Sequence, residues 1–571
     1  MVPEGGPAAS SLGVAWADLR QAGAALVATF RSRELGPTQL AFVAFNLLEW
    51  GGGISLFVFA FQIGGARAIG LAALALQIPA AVIAPFGSVL ADRFDRRRLL
   101  LLVMCLLALL SATAGIAMLL RAPSWLAFLL ACLAGWMLTL VRPTYGALLP
   151  WLARSPQELT TSYAAMGLIE STCIFLGPLV AGIVFASATT RSISGPGLAF
   201  VTFAILTLGG AIAVWSTHET NEAVSDEPDE EFHAADLWAG FGYVVHEERR
   251  RLLVALAGSG MLMLGMIDTT LIVLAIDVLH TGEAGVGFLN AALGIGSIVG
   301  ASIAMVAGQR SRLFPAMRAG LVTTGAPLAV IAAAPVTAVP MLAISGAGMQ
   351  LCDVSARTML QRVVPDDKLG RVFGVLESLY VGLEGIGAFA ASLLVVWIGL
   401  RWSLLAASLV LPVAGFLLRN RLAALDVGVR VPAEEMARLR ATDLFAPLPS
   451  QALERIARDL VPLDVPAGGT VIRQGEPGSR FYVLVEGRAV VSRDGDMIAE
   501  RGPGDYFGEV ALLLDQPRNA TVTAASDLRV FVLERDEFLR VLTGHEGVDL
   551  KARRVAAERA VVDPAEDGDE E

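Results

Sequence analysis

Between residues 38 and 419 the chain runs through twelve apolar stretches, most of them 20 to 29 residues long, with few charges inside them. A run of about 20 apolar residues is what a helix needs to cross the hydrocarbon core of a bilayer. In lipid every backbone polar group must be satisfied within its own element, so only helices and closed barrels cross. Twelve such runs therefore predict a polytopic helical membrane protein. The rest of the composition agrees, with a mean hydropathy of +0.63 and only 17% charged residues, where an average soluble chain has about 25%.

The spans are expected at 38–62, 67–91, 98–120, 123–145, 160–187 and 196–216, then at 251–279, 285–307, 313–334, 337–361, 369–397 and 401–419. Residues 15–33 read as an interfacial helix, and no cleavable signal peptide precedes them. Between the two sets of six lies an acidic linker, "NEAVSDEPDEEF", and the chain ends on an acidic tail, "DPAEDGDEE". Such charge runs read as solvated spacers. The net charge of −11 gives no sign of nucleic-acid binding. Loops on one side of the spans carry fourteen Arg and Lys, against four on the other. By the positive-inside rule the first set is cytoplasmic, and so are both termini. The expected location is a bacterial inner membrane. Cys105, Cys132, Cys173 and Cys352 lie in apolar segments without metal-ligand spacing, and read as small buried hydrophobes.

The two halves echo each other. "RPTYGALLP" (142–150) and "RTMLQRVVP" (357–365) both place Arg eight residues before Pro, and downstream "GLIES" (167–171) answers "GVLES" (374–378). Many transporters build two half-bundles around a central site from such repeats. Between spans two and three, "GSVLADRFDRRRLL" holds Gly87, Asp92, Arg93, Arg96 and Arg97. This loop resembles the Gly-x-x-x-Asp-Arg-x-x-Arg-Arg pattern of the major facilitator superfamily, with one extra residue between Gly87 and Asp92. "RPTYG", with Arg142 and Gly146, resembles that family's span-four motif, and "GPLVAG" (177–182) its antiporter motif. The resemblance covers residues 35 to 420 and is nearest to bacterial siderophore and drug exporters. It implies two six-helix halves and a cytoplasmic gate latched by the basic loop.

Ionisable residues inside spans are candidates for function, because a charge in lipid is costly. At 1.5 Å per residue, Glu49 lies roughly 17 Å deep, Glu170 about 15 Å and Glu384 about 21 Å; Asp268 is also well inside span seven. These four are candidates for proton coupling, or for binding a cationic or polar cargo. Arg142, Asp353, Arg357 and Glu377 lie nearer the cytoplasmic face and are candidates for gate ion pairs. No Gly-x4-Gly-Lys-Ser/Thr phosphate loop is present, and no Ser-His-Asp, Cys-His or metal arrangement, so neither ATP-driven transport nor an enzyme is expected.

After residue 441 the pattern changes to a short amphipathic helix, then short alternating strands punctuated by Gly475, Gly478, Gly487, Gly495 and Gly504, then helix again. This predicts an antiparallel jelly roll with flanking helices. Within it, "YFGEVALLLDQPRNATV" (506–522) runs a loop into a short helix, which presents unpaired backbone N–H groups from Gly508, Glu509, Val510 and Ala511. Arg518 adds a planar cation suited to phosphate oxygens. Glu509 would repel a bare phosphate but accepts a bond from a sugar hydroxyl. A ligand with a phosphate and a ribose hydroxyl close together, such as a cyclic nucleotide, fits both.

"FGEVALL" and "PRNATV" resemble the phosphate-binding cassette of cyclic-nucleotide-binding domains, a resemblance that covers residues 441 to 560. It implies that Glu509 takes the ribose 2′-hydroxyl, that Arg518 takes the cyclic phosphate, and that Gly508 and Ala520 offer backbone N–H groups. Asn519 departs from the small or hydroxyl residue common at its position; cAMP is favoured over cGMP. The segment 547–561 is a candidate lid over the base.

The expected division is an N-terminal segment (1–35), a first bundle (36–216), a linker (217–250), a second bundle (251–420), a connector (421–440), a nucleotide-binding domain (441–561) and a tail (562–571). The expected function is a proton-coupled exporter of a small amphipathic molecule, regulated by cytoplasmic cyclic nucleotide and needing no cofactor. Its expected partners are that nucleotide, a drug-like, siderophore or lipid-like cargo and membrane lipid. The alternatives are a membrane-anchored nucleotide receptor without transport, and a transporter whose terminal domain has lost its ligand.

Overall fold

In the computed structural model the described residues are 29–84, 87, 90, 94–153, 156–189, 193–217, 234–308, 313–417, 421, 433–442, 444–446, 448, 450–543 and 551–556. They form two compact units, Met1–Val429 and Arg430–Glu571.

The first unit is helical. Its helices are α1 (Leu35–Ile83), α2 (Arg96–Leu119), α3 (Ser124–Leu152), α4 (Pro156–Thr189), α5 (Gly195–Trp215), α6 (Ala234–His246), α7 (Glu248–Val273), α8 (Gly282–Gly308), α9 (Phe314–Ala333), α10 (Ala338–Val363) and α11 (Asp366–Leu417). A π-helical turn, Leu274–Val278, extends α7. Among the described residues ten helices are long and apolar enough to cross a membrane.

Two of these are about twice the needed length. At 1.5 Å per residue, the 49 residues of α1 and the 52 of α11 would each run more than 70 Å if straight, against a core of about 30 Å. Neither is straight. Helix α1 leaves helical geometry at Gly64 (φ −152°, ψ 24°) and Gly65 (φ 62°, ψ −155°), and α11 does so at Gly399 (φ 81°, ψ 164°). Such conformations are open to glycine at little cost. The breaks fall in the gaps expected between spans one and two and between spans eleven and twelve, so the ten described helices divide there into twelve apolar segments.

The helix starts are specified locally. Asp95 accepts a bond from the Arg98 N–H at 2.7 Å to cap α2, and Ser194 caps α5 through the Gly197 N–H at 3.2 Å. Cys132, Cys173 and Cys352 are buried as expected, but Cys105 is exposed on the outer surface of α2. In a helix that is apolar all round, periodicity does not separate a packed face from one turned to lipid.

The second unit opens with α12 (Ala433–Ala441) and α13 (Ser450–Asp459). Eight strands follow: β1 (Val461–Val465), β2 (Thr470–Ile472), β3 (Arg480–Glu486), β4 (Ala489–Arg493), β5 (Asp496–Arg501), β6 (Tyr506–Phe507), β7 (Thr521–Ala524) and β8 (Leu528–Glu534). A short helix, α14 (Glu509–Leu513), sits between β6 and β7, and α15 (Arg535–Thr543) follows β8. The strands form two four-stranded antiparallel sheets, ordered β1-β8-β3-β6 and β2-β7-β4-β5. The expected jelly roll is therefore present.

Strand β3 shows why both its faces are apolar. Tyr482 and Leu484 point into the core between the sheets, with Phe507, Val522 and Val530. Phe481, Val483 and Val485 point the other way, into a core shared with the helices. There Phe481 stacks on Phe538 at 4.4 Å and meets Phe445 edge-on at 5.6 Å.

Candidate functional site

In the second unit, β6 ends at Phe507 and the chain must turn at once into α14. Gly508 makes that turn in the left-handed region, at φ 91°. A Cβ there would come within 2.8 Å of Arg518 Nη1 and 3.0 Å of the Arg480 carbonyl oxygen. The turn sets the start of α14 beside the Arg518 side chain from the loop before β7. Glu509, at the first position of α14, is 1% exposed, and Arg518 is 7% exposed.

The Arg518 guanidinium donates to the Gly508 carbonyl at 2.8 Å and to the Arg480 carbonyl at 2.7 Å. The backbone around it is held too. Its N–H donates to the Glu476 carbonyl, and its own carbonyl accepts from the Gly475 N–H, each at 2.8 Å. Gly478 closes the other side; a Cβ there would meet Ala511 Cβ at 2.7 Å and Arg518 Cζ at 3.3 Å. Burial pushes the Arg518 pKa down from its ordinary value, opposed by Tyr482, Glu509 and Glu476. Burial likewise pushes the Tyr482 phenol up, opposed by Arg518 and Arg480. A buried cation held mainly by neutral carbonyls is a place where an anion gains.

Every residue expected at this site is brought together. Gly508, Glu509, Val510 and Ala511 form the turn and first residues of α14, and Arg518, Asn519 and Ala520 form the loop that faces it. Asn519 is half-buried, and its carbonyl accepts from Arg493 Nε at 3.2 Å. Tyr482 and Gly478 also belong to the site but lie outside the quoted motif; the "GSRFY" glycine just before β3 was the available signal. Of the candidate lid 547–561, residues 551–556 are helical, with Ala552 and Ala556 in the helix-side core; the rest lies outside the described residues.

In the membrane unit, two arginines organise the span acids. Arg142 on α3 donates from Nη2 to Glu49 on α1 at 2.7 Å and from Nη1 to Glu170 on α4 at 2.6 Å. Its guanidinium also lies 5.7 Å from the Phe45 ring centroid. Arg357 on α10 pairs with Asp353 at 3.1 Å and with Glu377 on α11 at 3.1 Å. Tyr380 donates a short bond to Asp353, and its ring lies under the Arg357 guanidinium at 4.7 Å.

The internal repeat is thus visible in the chemistry, because Arg142–Glu170 and Arg357–Glu377 are the same pair in the two halves. Coupling and gate candidates expected in separate groups share one cluster around Arg142. Glu49 also interacts electrostatically with Glu377 and Glu384, and Glu384 with Asp268. Gln77, which the sequence did not single out, also acts on the Glu384 carboxylate.

Of the basic-loop candidates, Gly87 packs closely on α3, where a Cβ would meet Pro143 at 3.0 Å. Arg97 caps the end of α5 by donating to the Trp215 carbonyl at 2.6 Å, and Arg96 lies over the Trp151 ring at 4.7 Å. Asp92 and Arg93 lie outside the described residues.

A model of the Major Facilitator Superfamily matches residues 40–383, more than half of the chain. The chain belongs to that superfamily. A second family model, the cyclic nucleotide-binding domain, matches residues 462–545, which contain the site around Arg518. This superfamily member is therefore a multi-pass membrane protein that carries a C-terminal cyclic nucleotide-binding domain. It is similar to a cAMP-dependent protein kinase regulatory subunit of Dictyostelium discoideum, at 43% identity over 15% of this chain and 29% of that protein. It is also similar to a cyclic nucleotide-gated potassium channel of Rhizobium etli, at 38% identity over 22% and 35%. The chain spans about a third of the length of these curated relatives. A solved structure, the regulatory domain of Toxoplasma gondii PKA with cAMP, is 25% identical over 24% of this chain and 55% of that one, with a TM-score of 0.21.

Proposed function

We propose that this protein is a transporter, a proton-coupled exporter of a small amphipathic molecule, and that cytoplasmic cAMP bound at the terminal domain sets its activity. The observation that carries the nucleotide half is the buried pair at the start of α14. Arg518, 7% exposed, is held against the turn at Gly508, and Glu509 is 1% exposed on the same turn. The α14 N–H groups and Arg518 would receive the cyclic phosphate, and Glu509 the ribose 2′-hydroxyl. Both named curated relatives bear cyclic-nucleotide names, the first that of cAMP, which supports the same ligand.

The transport half rests on the acids of the spans. Glu49, Glu170, Asp268, Asp353, Glu377 and Glu384 face only Arg142 and Arg357 as basic partners in the described contacts. An excess of carboxylates inside a bundle suits a proton that rides with the cycle, and a cargo that is cationic rather than anionic. Glu49, Glu170, Asp268 and Glu384 would carry the coupling. The Arg357 cluster and the basic loop would serve the gate. The basic loops, both termini and the terminal domain would lie in the cytoplasm of a bacterial inner membrane.

A nucleotide shifts the cycle only by binding one conformation better than another. Titration calorimetry of the intact chain with cAMP and cGMP tests the nucleotide half. Saturable heat with cAMP, weaker heat with cGMP and loss of both in Arg518→Ala is the expected result. No heat from either nucleotide would leave a carrier without this regulation.

A further inference from the structure

Glu283 opens α8, at the end of the bundle opposite the basic loops, and it joins the two halves. Gln62, at the end of the first arm of α1, donates a short hydrogen bond to its carboxylate across 221 positions of sequence. The same carboxylate lies over Gly195, the first residue of α5, so closely that a Cβ there would collide with Glu283 Oε2. The start of α5, a helix 21 residues long, carries the partial positive end of the helix dipole, which favours a carboxylate at that place. One side chain of the second half thus engages two helices of the first.

The backbones around it approach as closely as glycine permits. A Cβ on Gly182 of α4 would meet the Gly287 Cα of α8 at 3.1 Å, and one on Gly294 of α8 would meet the Phe175 Cα of α4 at 2.8 Å. On the other flank, a Cβ on Gly70 of α1 would meet the Phe389 Cα of α11 at 3.2 Å. Near the basic loops the arrangement differs: Arg142 and Arg357 each hold acids of their own half.

We propose that Glu283, Gln62 and the α5 N-terminus form the polar latch of the outer gate, so that releasing Glu283 is the step that lets the two halves part on that side. Glu283 is a positioning residue in this account; it holds the halves and need not touch the cargo. The inference rests on the transporter reading, not on the identity of the cargo or on the nucleotide.

The test needs no cargo. Val286, one turn along α8, is fully buried. In the intact chain purified in detergent, with Cys105→Ala removing the exposed native thiol, Val286→Cys reports opening by its rate of reaction with a polar maleimide. Glu283→Ala is expected to raise that rate at least fivefold. Gly195→Ala, which puts a methyl group where the carboxylate lies, is expected to do the same. Glu283→Gln keeps an acceptor oxygen for Gln62, and is expected to stay within about twofold of the parent. A cooperative melt for each variant separates opening from unfolding. Parent-like labelling rates in both folded Glu283→Ala and Gly195→Ala would overturn the latch, whatever calorimetry says of the nucleotide.

Discussion

Arg518 and Glu509 divide the proposed ligand between them, and their substitutions should separate. A charge-assisted hydrogen bond contributes about 1.5–3 kcal/mol, and about 1.4 kcal/mol is tenfold in affinity. Arg518→Ala, losing a fork of two such bonds, should weaken cAMP at least 100-fold. Glu509→Gln, which keeps one acceptor oxygen, should weaken it about tenfold; calorimetry on the intact chain measures both. Arg142 makes a different prediction, about stability. Arg142→Met leaves Glu49 and Glu170 facing each other without a cation. The three side chains are about 30% exposed, so the cost should be roughly 1–3 kcal/mol, below that of a fully buried pair. Adding Glu49→Gln and Glu170→Gln to the same chain should recover most of it, as read from the thermal melt. The sequence placed Arg142 near the cytoplasmic face and the two glutamates near mid-membrane because depth was counted along the backbone. An arginine side chain spans the difference, and that reach is invisible in a count of residues.

At the scale of elements, α14 depends on one turn. Gly508→Ala would place a Cβ at φ 91°, 2.8 Å from the Arg518 guanidinium, and should abolish nucleotide binding while the sheets persist by circular dichroism. Asp459 tests another element. It ends α13, where a negative charge opposes the helix dipole, and burial and Glu537 hold its carboxyl above the usual carboxylate range. The folded domain therefore binds that proton more tightly than the unfolded chain. The penalty is absent below the unfolded pKa of about 3.9, grows as pH rises from there, and is complete above the raised folded value. Asp459→Asn should stabilise the domain at pH 7 by a few tenths of a kcal/mol, since solvent screens so exposed a group. The gain should fade as pH drops towards 4, as followed by the infrared melt of the sheets. Element boundaries were the most legible part of the sequence. The helix breaks at Gly64–Gly65 and Gly399 fall between expected spans, and the jelly-roll strands follow their turn residues. The outward turn of Cys105 was not legible, since an all-apolar helix carries no phase.

For the whole molecule, the legible part was the pairing of a facilitator bundle with a nucleotide-binding jelly roll, because each rests on a local motif: the basic loop in one, "FGEVALL…PRNATV" in the other. What links distant segments was less so. The meeting of Gln62 with Glu283 and of Tyr380 with Asp353 depends on helix packing, which a linear pattern does not encode. The central claim is that nucleotide occupancy biases the carrier's conformations. The most direct measurement is the maleimide reaction rate of Val286→Cys in the intact chain, with and without saturating cAMP, beside the same protein carrying Arg518→Ala. The account predicts a cAMP-dependent change of at least threefold that Arg518→Ala abolishes. An unchanged rate in protein that calorimetry shows to be saturated with cAMP would contradict it.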